Sequence, residues 1–225
     1  MLRWELLDTA AVPGEGGELR LYRRGDEYSI RANGFELMNS RVHGSEEELA
    51  ERVCVRLSGR PTPRLLIGGL GMGFTLAAAL PRLKGDARVE VVELVPAVVA
   101  WCRGPLAHVA GAALTDKRVT LHEADVRQLL HARPNYFDAI ILDVDNGPAG
   151  LMRKENDWLY GRAGLRVACA SLRPRGVLAV WSAAPDQAFV RRLQQVGFSV
   201  EAIPVRARRG HKGGHHLIWL ATRPA

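Results

Sequence analysis

The chain has 225 residues, 47% apolar and 24% charged, the balance of a globular protein that can bury a full core as one domain or as a large domain with a small appendage. No apolar run approaches a membrane span, and Met1 to Asp8 lack the apolar stretch of a signal peptide, so a cytoplasmic protein without membrane contact is expected. The net charge of +7 rests almost wholly on arginine, with lysine only at 84, 117, 154 and 212. It reads as solvated surface, with nucleic-acid binding through the basic loop 206–212 as the disfavoured alternative. Cys54, Cys102 and Cys169 are scattered, with no CxxC pair; they read as buried thiols, and neither a disulfide nor a metal site is expected.

Along the chain, Glu18 to Arg24 and Tyr28 to Met38 alternate apolar and polar residues, and Asn33-Gly34 favours a two-residue hairpin turn. These features predict a small antiparallel unit. Ser45-Glu-Glu-Glu48 has the pattern of a capping box opening a helix that runs to about Leu57, and the Gly59 to Pro63 stretch stops it. The expected division is therefore 1–58, a hairpin unit plus linking helix, and 59–225, a nucleotide-binding domain.

From Arg64 onward, strand patterns at 64–69, 88–93, 118–122, 137–143, 176–181, 198–205 and 215–222 alternate with helix patterns at 73–83, 95–103, 126–132, 160–172 and 185–196. Such alternation predicts an α/β fold: a Rossmann-like, doubly wound, seven-stranded sheet with its ligand at the carboxyl ends of the strands. The last two strand patterns have no helix between them, so one of them should run antiparallel to its neighbours.

Most informative is the run from Arg64 to Thr75. A short apolar strand ends in Gly68, Gly69, Gly71 and Gly73, and an Ala/Leu-rich helix pattern follows. Side chains there would hold a ligand away from the backbone N–H groups at the helix start. About twenty residues on, the second strand ends in Glu93, a carboxylate able to accept both hydroxyls of a ribose. The pair reads as a site for an adenosine-containing ligand. Asp125 ends the third strand, placed to meet an adenine amino group or to cap the next helix; the two roles are compatible. Asp143 ends the fourth strand beside the glycine turn, where a reacting group would be held, and Asp145 and Asn146 follow it. The long connection from Gly147 to Gly161 offers Asn156, Asp157, Trp158 and Tyr160 to close over a substrate; equally, Trp158 and Tyr160 can anchor the loop on the core. Trp101, Trp181 and Trp219 read as core or pocket wall, and His43, His211, His215 and His216 as surface or packing histidines.

From about Glu18 to its end the chain resembles the spermidine synthase-like, polyamine aminopropyltransferase-like branch of the class I S-adenosylmethionine-dependent transferase fold. The resemblance is carried by the hairpin unit, the glycine turn, Glu93, Asp125, Asp143 and Trp158-Leu-Tyr160. It implies that Glu93 holds the ribose, that Asp125 holds the adenine, and that Gly69, Gly71 and Gly73 line the sulfonium end. Asp143 falls on a catalytic Asp that orients and deprotonates an acceptor amine, and a homodimer is implied as well. The chain also departs from the pattern. Gly71 replaces an Asp that pairs with the aminopropyl amine and repels the carboxylate of ordinary S-adenosylmethionine. Asn146 replaces a second Asp, Trp181 a polyamine-contacting Gln, and Glu46 falls near a Tyr. These losses lead to an expectation of methyl transfer from S-adenosylmethionine to a small-molecule acceptor, with Asp143 and Asp145 as base or orienting group. The alternatives are aminopropyl transfer from decarboxylated S-adenosylmethionine to an amine, a nucleic-acid methyltransferase, and a non-catalytic nucleotide-binding relative. In the aminopropyl-transfer alternative Asp143, Asp145 and acids such as Glu46 or Glu47 serve a different amine; more simply, Glu46 and Glu47 are first-turn acids that complement a helix dipole.

Overall fold

The computed structural model describes residues 2–14, 17–144, 156–206 and 215–225. Four strands form an antiparallel sheet in sequence order: β1 (Glu5–Ala11), β2 (Glu18–Arg24), β3 (Glu27–Ala32) and β4 (Phe35–Asn39). The Asn33-Gly34 turn joins β3 to β4, both of its residues lying in the left-handed region that this turn requires. The sequence reading missed β1. It is a largely exposed edge strand with a bulge between Leu6 and Asp8, and a long-range bond fastens it: Trp101 Nε1 donates to Asp8 Oδ2 at 2.7 Å.

Helix α1 (Gly44–Leu57) follows, and it corrects the expected capping box. Asn39 Oδ1 accepts from the backbone N–H groups of Arg41 and Val42, which closes a turn and starts the helix early, with His43 as its N-cap. Ser45 therefore lies inside the first turn, and its hydroxyl donates to Glu46 Oε2 instead of accepting from a backbone amide.

The alternating elements come next: β5 (Arg64–Gly68), α2 (Phe74–Ala79, extended by a 3₁₀ turn), β6 (Arg88–Glu93), α3 (Pro96–Arg103), a π-type turn at Ala107–Gly111 leading into α4 (Ala112–Leu114), β7 (Val119–Glu123), α5 (Val126–Ala132) and β8 (Phe137–Leu142). Then come α6 (Asn156–Tyr160), α7 (Arg162–Ser171), β9 (Leu172–Ser182), α8 (Gln187–Val196), β10 (Ser199–Arg206) and β11 (His215–Thr222). The helix expected over 160–172 is two helices divided at Gly161, and the π-type turn was not foreseen.

These strands build a seven-stranded sheet in the order β10-β11-β9-β8-β5-β6-β7. Strands β5 to β9 are parallel, and β11 is antiparallel to both β9 and β10, as the missing helix implied. Alternate residues of each central strand bury on opposite faces. Leu65, Ile67, Val89 and Ile141 pack toward the N-terminal sheet and α1–α3, whereas Leu66, Val92, Ile140 and Leu142 pack toward α5–α8. Both faces are covered, which explains the continuous apolar runs. Cys54 and Cys102 are buried, but Cys169 is partly exposed, correcting the reading of three buried thiols.

At the amino end of β8, buried Asp138 accepts from Arg60, from Arg173 and from the backbone N–H of Arg64 at 2.9–3.1 Å, tying three segments together. The order of strands reverses between β5 and β8, and a crevice opens at their carboxyl ends. No described helix is long and apolar enough to cross a membrane.

Candidate active site

The turn after β5 is shaped by what stands close to its backbone. At Gly69, φ is +92° and a Cβ would lie 2.5 Å from the carbonyl oxygen of Asp143. At Gly71, φ is +53° and a Cβ would lie 2.9 Å from Met38 Cε. A larger residue would press on the Asp143 backbone at the end of β8 at the first position, and would push the flexible end of the Met38 side chain aside at the second. The thiol of buried Cys102 donates to the Gly71 carbonyl at 3.2 Å and steadies the turn from below.

Glu93 closes over this turn. Its carboxylate accepts from Leu70 N–H and Val95 N–H, both at 2.9 Å. Burial raises its pKa, and these backbone donors oppose the rise. Asp125 accepts from Arg127 N–H at 2.9 Å and from the Arg127 guanidinium, so it caps α5 and also borders the crevice. Asp143 receives a hydrogen bond from Thr75 Oγ1 at 2.8 Å. Burial raises its pKa, and the Thr75 bond works against that shift.

The crevice has two lobes. One, of ≈ 140 Å³, is lined by Gly69, Glu93, Asp125, Val95 and Leu159. The other, of ≈ 310 Å³, is lined by Glu36, Glu46, Phe74, Thr75, Trp181 and His216. Leu37, Met38, Gly71 and Asp143 line both, so Asp143 stands where the lobes meet. No lysine or arginine lines the second lobe among the described residues.

Of the ten expected residues that the structure describes in full, six line the crevice and four do not. Gly69, Gly71, Glu93, Asp125, Asp143 and Trp181 line the crevice. Gly68 and Gly73 do not: a Cβ at Gly68 would meet Leu142 and Val126, and one at Gly73 would meet Ala110, so both permit close packing instead. Trp158 and Tyr160 line neither lobe. Trp158 lies beside His131 and under Arg127, while buried Tyr160 packs edge-on against Phe189 and donates to the Val144 carbonyl at 3.0 Å. Here the anchoring alternative describes their position. Asp145, Asn146 and residues 207–212 of the basic loop lie outside the described residues, as do the side chains of Asn156 and Asp157, which open α6.

Sequence reasoning missed Glu36, Thr75, Met38 and His216, and it gave Glu46 an amine-binding role only in the aminopropyl-transfer alternative, preferring a helix-dipole role. Glu46 is the sharpest correction. It faces the second lobe, and burial, together with the Asp143 charge, pushes its pKa up to about 7. A helix-dipole role assumes a solvated first turn, and its burial was invisible in the local pattern. Thr75 did carry a signal, being a hydroxyl residue in the first turn after the glycines.

The fold is that of the class I S-adenosylmethionine-type transferases. The Spermine/spermidine synthase domain family model matches residues 47–189, well over half of the chain. The chain belongs to the spermine/spermidine synthase family. It is 35% identical over 129 residues to a polyamine aminopropyltransferase of Nitrosomonas europaea; the match covers 56% of this chain and 37% of that relative. The fold superposes on a spermidine synthase from Thermotoga maritima with TM-score 0.77 and 17% identity, covering 97% of this chain and 72% of that one. A precorrin-6y C5,15-methyltransferase from Geobacter metallireducens superposes with TM-score 0.56 and 19% identity, over 78% and 88% of the two chains. The fold by itself thus accommodates more than one group transfer. The expectation of methyl transfer drawn from Gly71 gains no support from the family match or from the curated relative.

Proposed function

We propose that this chain transfers the aminopropyl group of decarboxylated S-adenosylmethionine to a small amine. One observation carries the reading: the ≈ 310 Å³ lobe beyond Asp143 offers Glu36, Glu46 and Asp143 with aromatic walls from Phe74 and Trp181. Binding an ammonium group away from water needs opposing carboxylates and apolar or π-bearing surface. A neutral acceptor would leave these acids without a counter-charge.

The residues fit an adenosine-containing donor. Glu93 is held by two backbone amides with its carboxylate facing the nucleotide lobe, and the approach of Asp143 and Met38 to Gly69 and Gly71 forms a cradle that a Cβ would fill. In this reading Glu93 accepts the ribose hydroxyls and Asp125 meets the base edge. When bound, the donor supplies a carbon made electrophilic by its sulfonium. Asp143, fixed by Thr75, would hold the acceptor nitrogen at the junction of the lobes. The catalytic contribution is alignment in a desolvated site.

A second reading, methyl transfer from S-adenosylmethionine, is favoured by Gly71. That position presents no carboxylate and is covered by the Met38 thioether. The experiment that separates the two is product analysis after incubation with each donor and a panel of primary diamines. Methylthioadenosine from the decarboxylated donor supports the proposal; S-adenosylhomocysteine from the ordinary donor, with no methylthioadenosine from the other, refutes it.

A further inference from the structure

We infer that the acceptor is a diamino acid, with its side-chain amine at Asp143 and its α-amino and α-carboxylate groups at Glu36 and Arg41. The inference rests on the aminopropyl-transfer reading and names the acceptor class for that same site. In the transfer, the side-chain ammonium sheds one proton to the carboxylates of the lobe, and from them it reaches solvent. The freed lone pair forms the new carbon–nitrogen bond as the carbon–sulfur bond breaks; the bonding pair stays on sulfur, and the sulfonium becomes a neutral thioether. The product leaves as a secondary ammonium ion with its amino-acid head unchanged.

The larger lobe continues over the edge of the N-terminal sheet. Glu36, Asn39 and Val42 line it, and the same three residues line a neighbouring cleft of ≈ 150 Å³ whose far side is built by Trp4, Arg24, Glu27 and Arg41. Strand pairing explains this shared floor. Met38 pairs with the core residue Ile30, whereas Asn39 pairs with Ser29 and, past a bulge, Glu36 pairs with Arg31. Met38 therefore turns into the junction of the lobes, while Glu36 and Asn39 lie toward the outer face, where the Arg31 guanidinium sits over the Trp4 ring. A ligand long enough to leave the lobe past Glu36 enters the outer cleft.

Charge changes sign along that route. Asp143, Glu46 and Glu36 line the lobe. Glu36 accepts from Ser29 Oγ at 2.7 Å and from Asn39 Nδ2 at 2.8 Å; both donors are neutral, so its charge has no counter-ion among the described residues. Beyond it, Glu27 accepts from Arg24 Nη2 at 2.7 Å and lies 3.0 Å from Arg41 Nη1. One carboxylate there faces two guanidinium groups, which leaves the cleft one positive charge in excess. Arg24 is held over the Trp4 ring at 4.5 Å, and Arg41 gives Glu27 one corner of a fork with five donors. A simple alkyl diamine satisfies the acids and leaves the excess positive charge unmatched. An α-amino acid head satisfies both signs: its ammonium meets Glu36, and its carboxylate meets the remaining edge of the Arg41 guanidinium, a shape that suits bidentate carboxylates.

The test compares kcat/KM of the full chain, at saturating decarboxylated S-adenosylmethionine, for 1,4-diaminobutane and 2,5-diaminopentanoate, two acceptors that differ by one carboxylate. Wild type should favour the diamino acid by about tenfold. Arg41→Gln should lower kcat/KM for the diamino acid about tenfold and raise it for 1,4-diaminobutane, because a repelling charge is gone. Arg41→Lys, which keeps the charge without the fork, should recover part of the loss. The Arg41 side chain is more than half exposed, so both variants should fold. Equal or better use of 1,4-diaminobutane by wild type, or a ratio unmoved in Arg41→Gln, would overturn the inference. So would faster turnover of the triamine N-(3-aminopropyl)-1,4-diaminobutane than of either, which would give the outer cleft to a further ammonium. If the decarboxylated donor yields methylthioadenosine with none of the three acceptors, the transferase reading beneath the inference fails instead.

Discussion

Placing a carboxylate at Gly71 examines what the glycine turn selects. A Cβ there would meet only the far end of Met38, at 2.9 Å from Cε and 3.0 Å from Sδ, and that side chain can swing aside. The φ of +53° is left-handed, a region Asp tolerates better than most residues, so Gly71→Asp should fold at a cost of about 1–2 kcal/mol. Gly71 lines both lobes, so the new charge would stand at the donor's tail. Two carboxylates about 4 Å apart at an effective dielectric of about 20 repel by about 4 kcal/mol. Screening in an open crevice reduces this to about 2–3 kcal/mol, worth about a hundredfold in affinity. Dissociation constants for S-adenosylmethionine and its decarboxylated form, measured by calorimetry on both proteins, provide the readout. Wild type should discriminate by less than about tenfold, and Gly71→Asp should shift the ratio about a hundredfold toward the decarboxylated form. A wild type that already rejects S-adenosylmethionine a hundredfold, or an unchanged ratio in the variant, would refute the reasoning.

Three further outcomes follow from the same geometry. Glu46 is raised from 4.5 to about 7 in the folded protein, so its contribution to stability is fully present below about pH 4.5 and lost as pH rises through 7. Glu46→Gln should therefore raise the melting temperature at pH 8, by several degrees for a gain of about 2–3 kcal/mol, and change little at pH 4.5; scanning calorimetry at the two pH values checks this. Asp143→Asn should lower kcat/KM by about 10²-fold or more with the decarboxylated donor and a diamine, and an unchanged kcat/KM would refute a role for this carboxylate at the junction of the lobes. Asp138→Ala leaves the Arg60 and Arg173 guanidinium groups and the Arg64 amide without their acceptor, and should cost about 2–4 kcal/mol in urea unfolding. Turnover per folded molecule should be unaffected, since Asp138 lies at the opposite end of β8 from the crevice.

The sequence by itself determined the periodic part of this protein. Strands buried on both faces must be continuous apolar runs, and turns that approach a ligand or a neighbouring strand must be glycine, so β5, β6, β8, the glycine turn, Glu93 and Asp143 were readable from local pattern and spacing alone. The Asn33-Gly34 turn was readable for the same reason. What local pattern could not carry was decided by the tertiary structure. Edge strand β1 is held by Asp8 reaching Trp101, ninety-three positions away, and its own alternation is weak. Glu46 looks like any solvated first-turn acid until β4, β8 and β11 close around it and remove the water that would have kept its charge inexpensive. His216 and Ser45 are 171 residues apart and meet only because β11 inserts between β9 and β10. Chain spacing records Gly69, Glu93 and Asp143 because each follows or ends a strand of the alternating pattern, whereas Val12, Leu19 and Ile30 of the N-terminal sheet and Leu159 of α6 join that lobe only on folding. The larger lobe is assembled from β4, α1, the glycine turn, the ends of β8 and β9, and β11, and only folding brings their charges together.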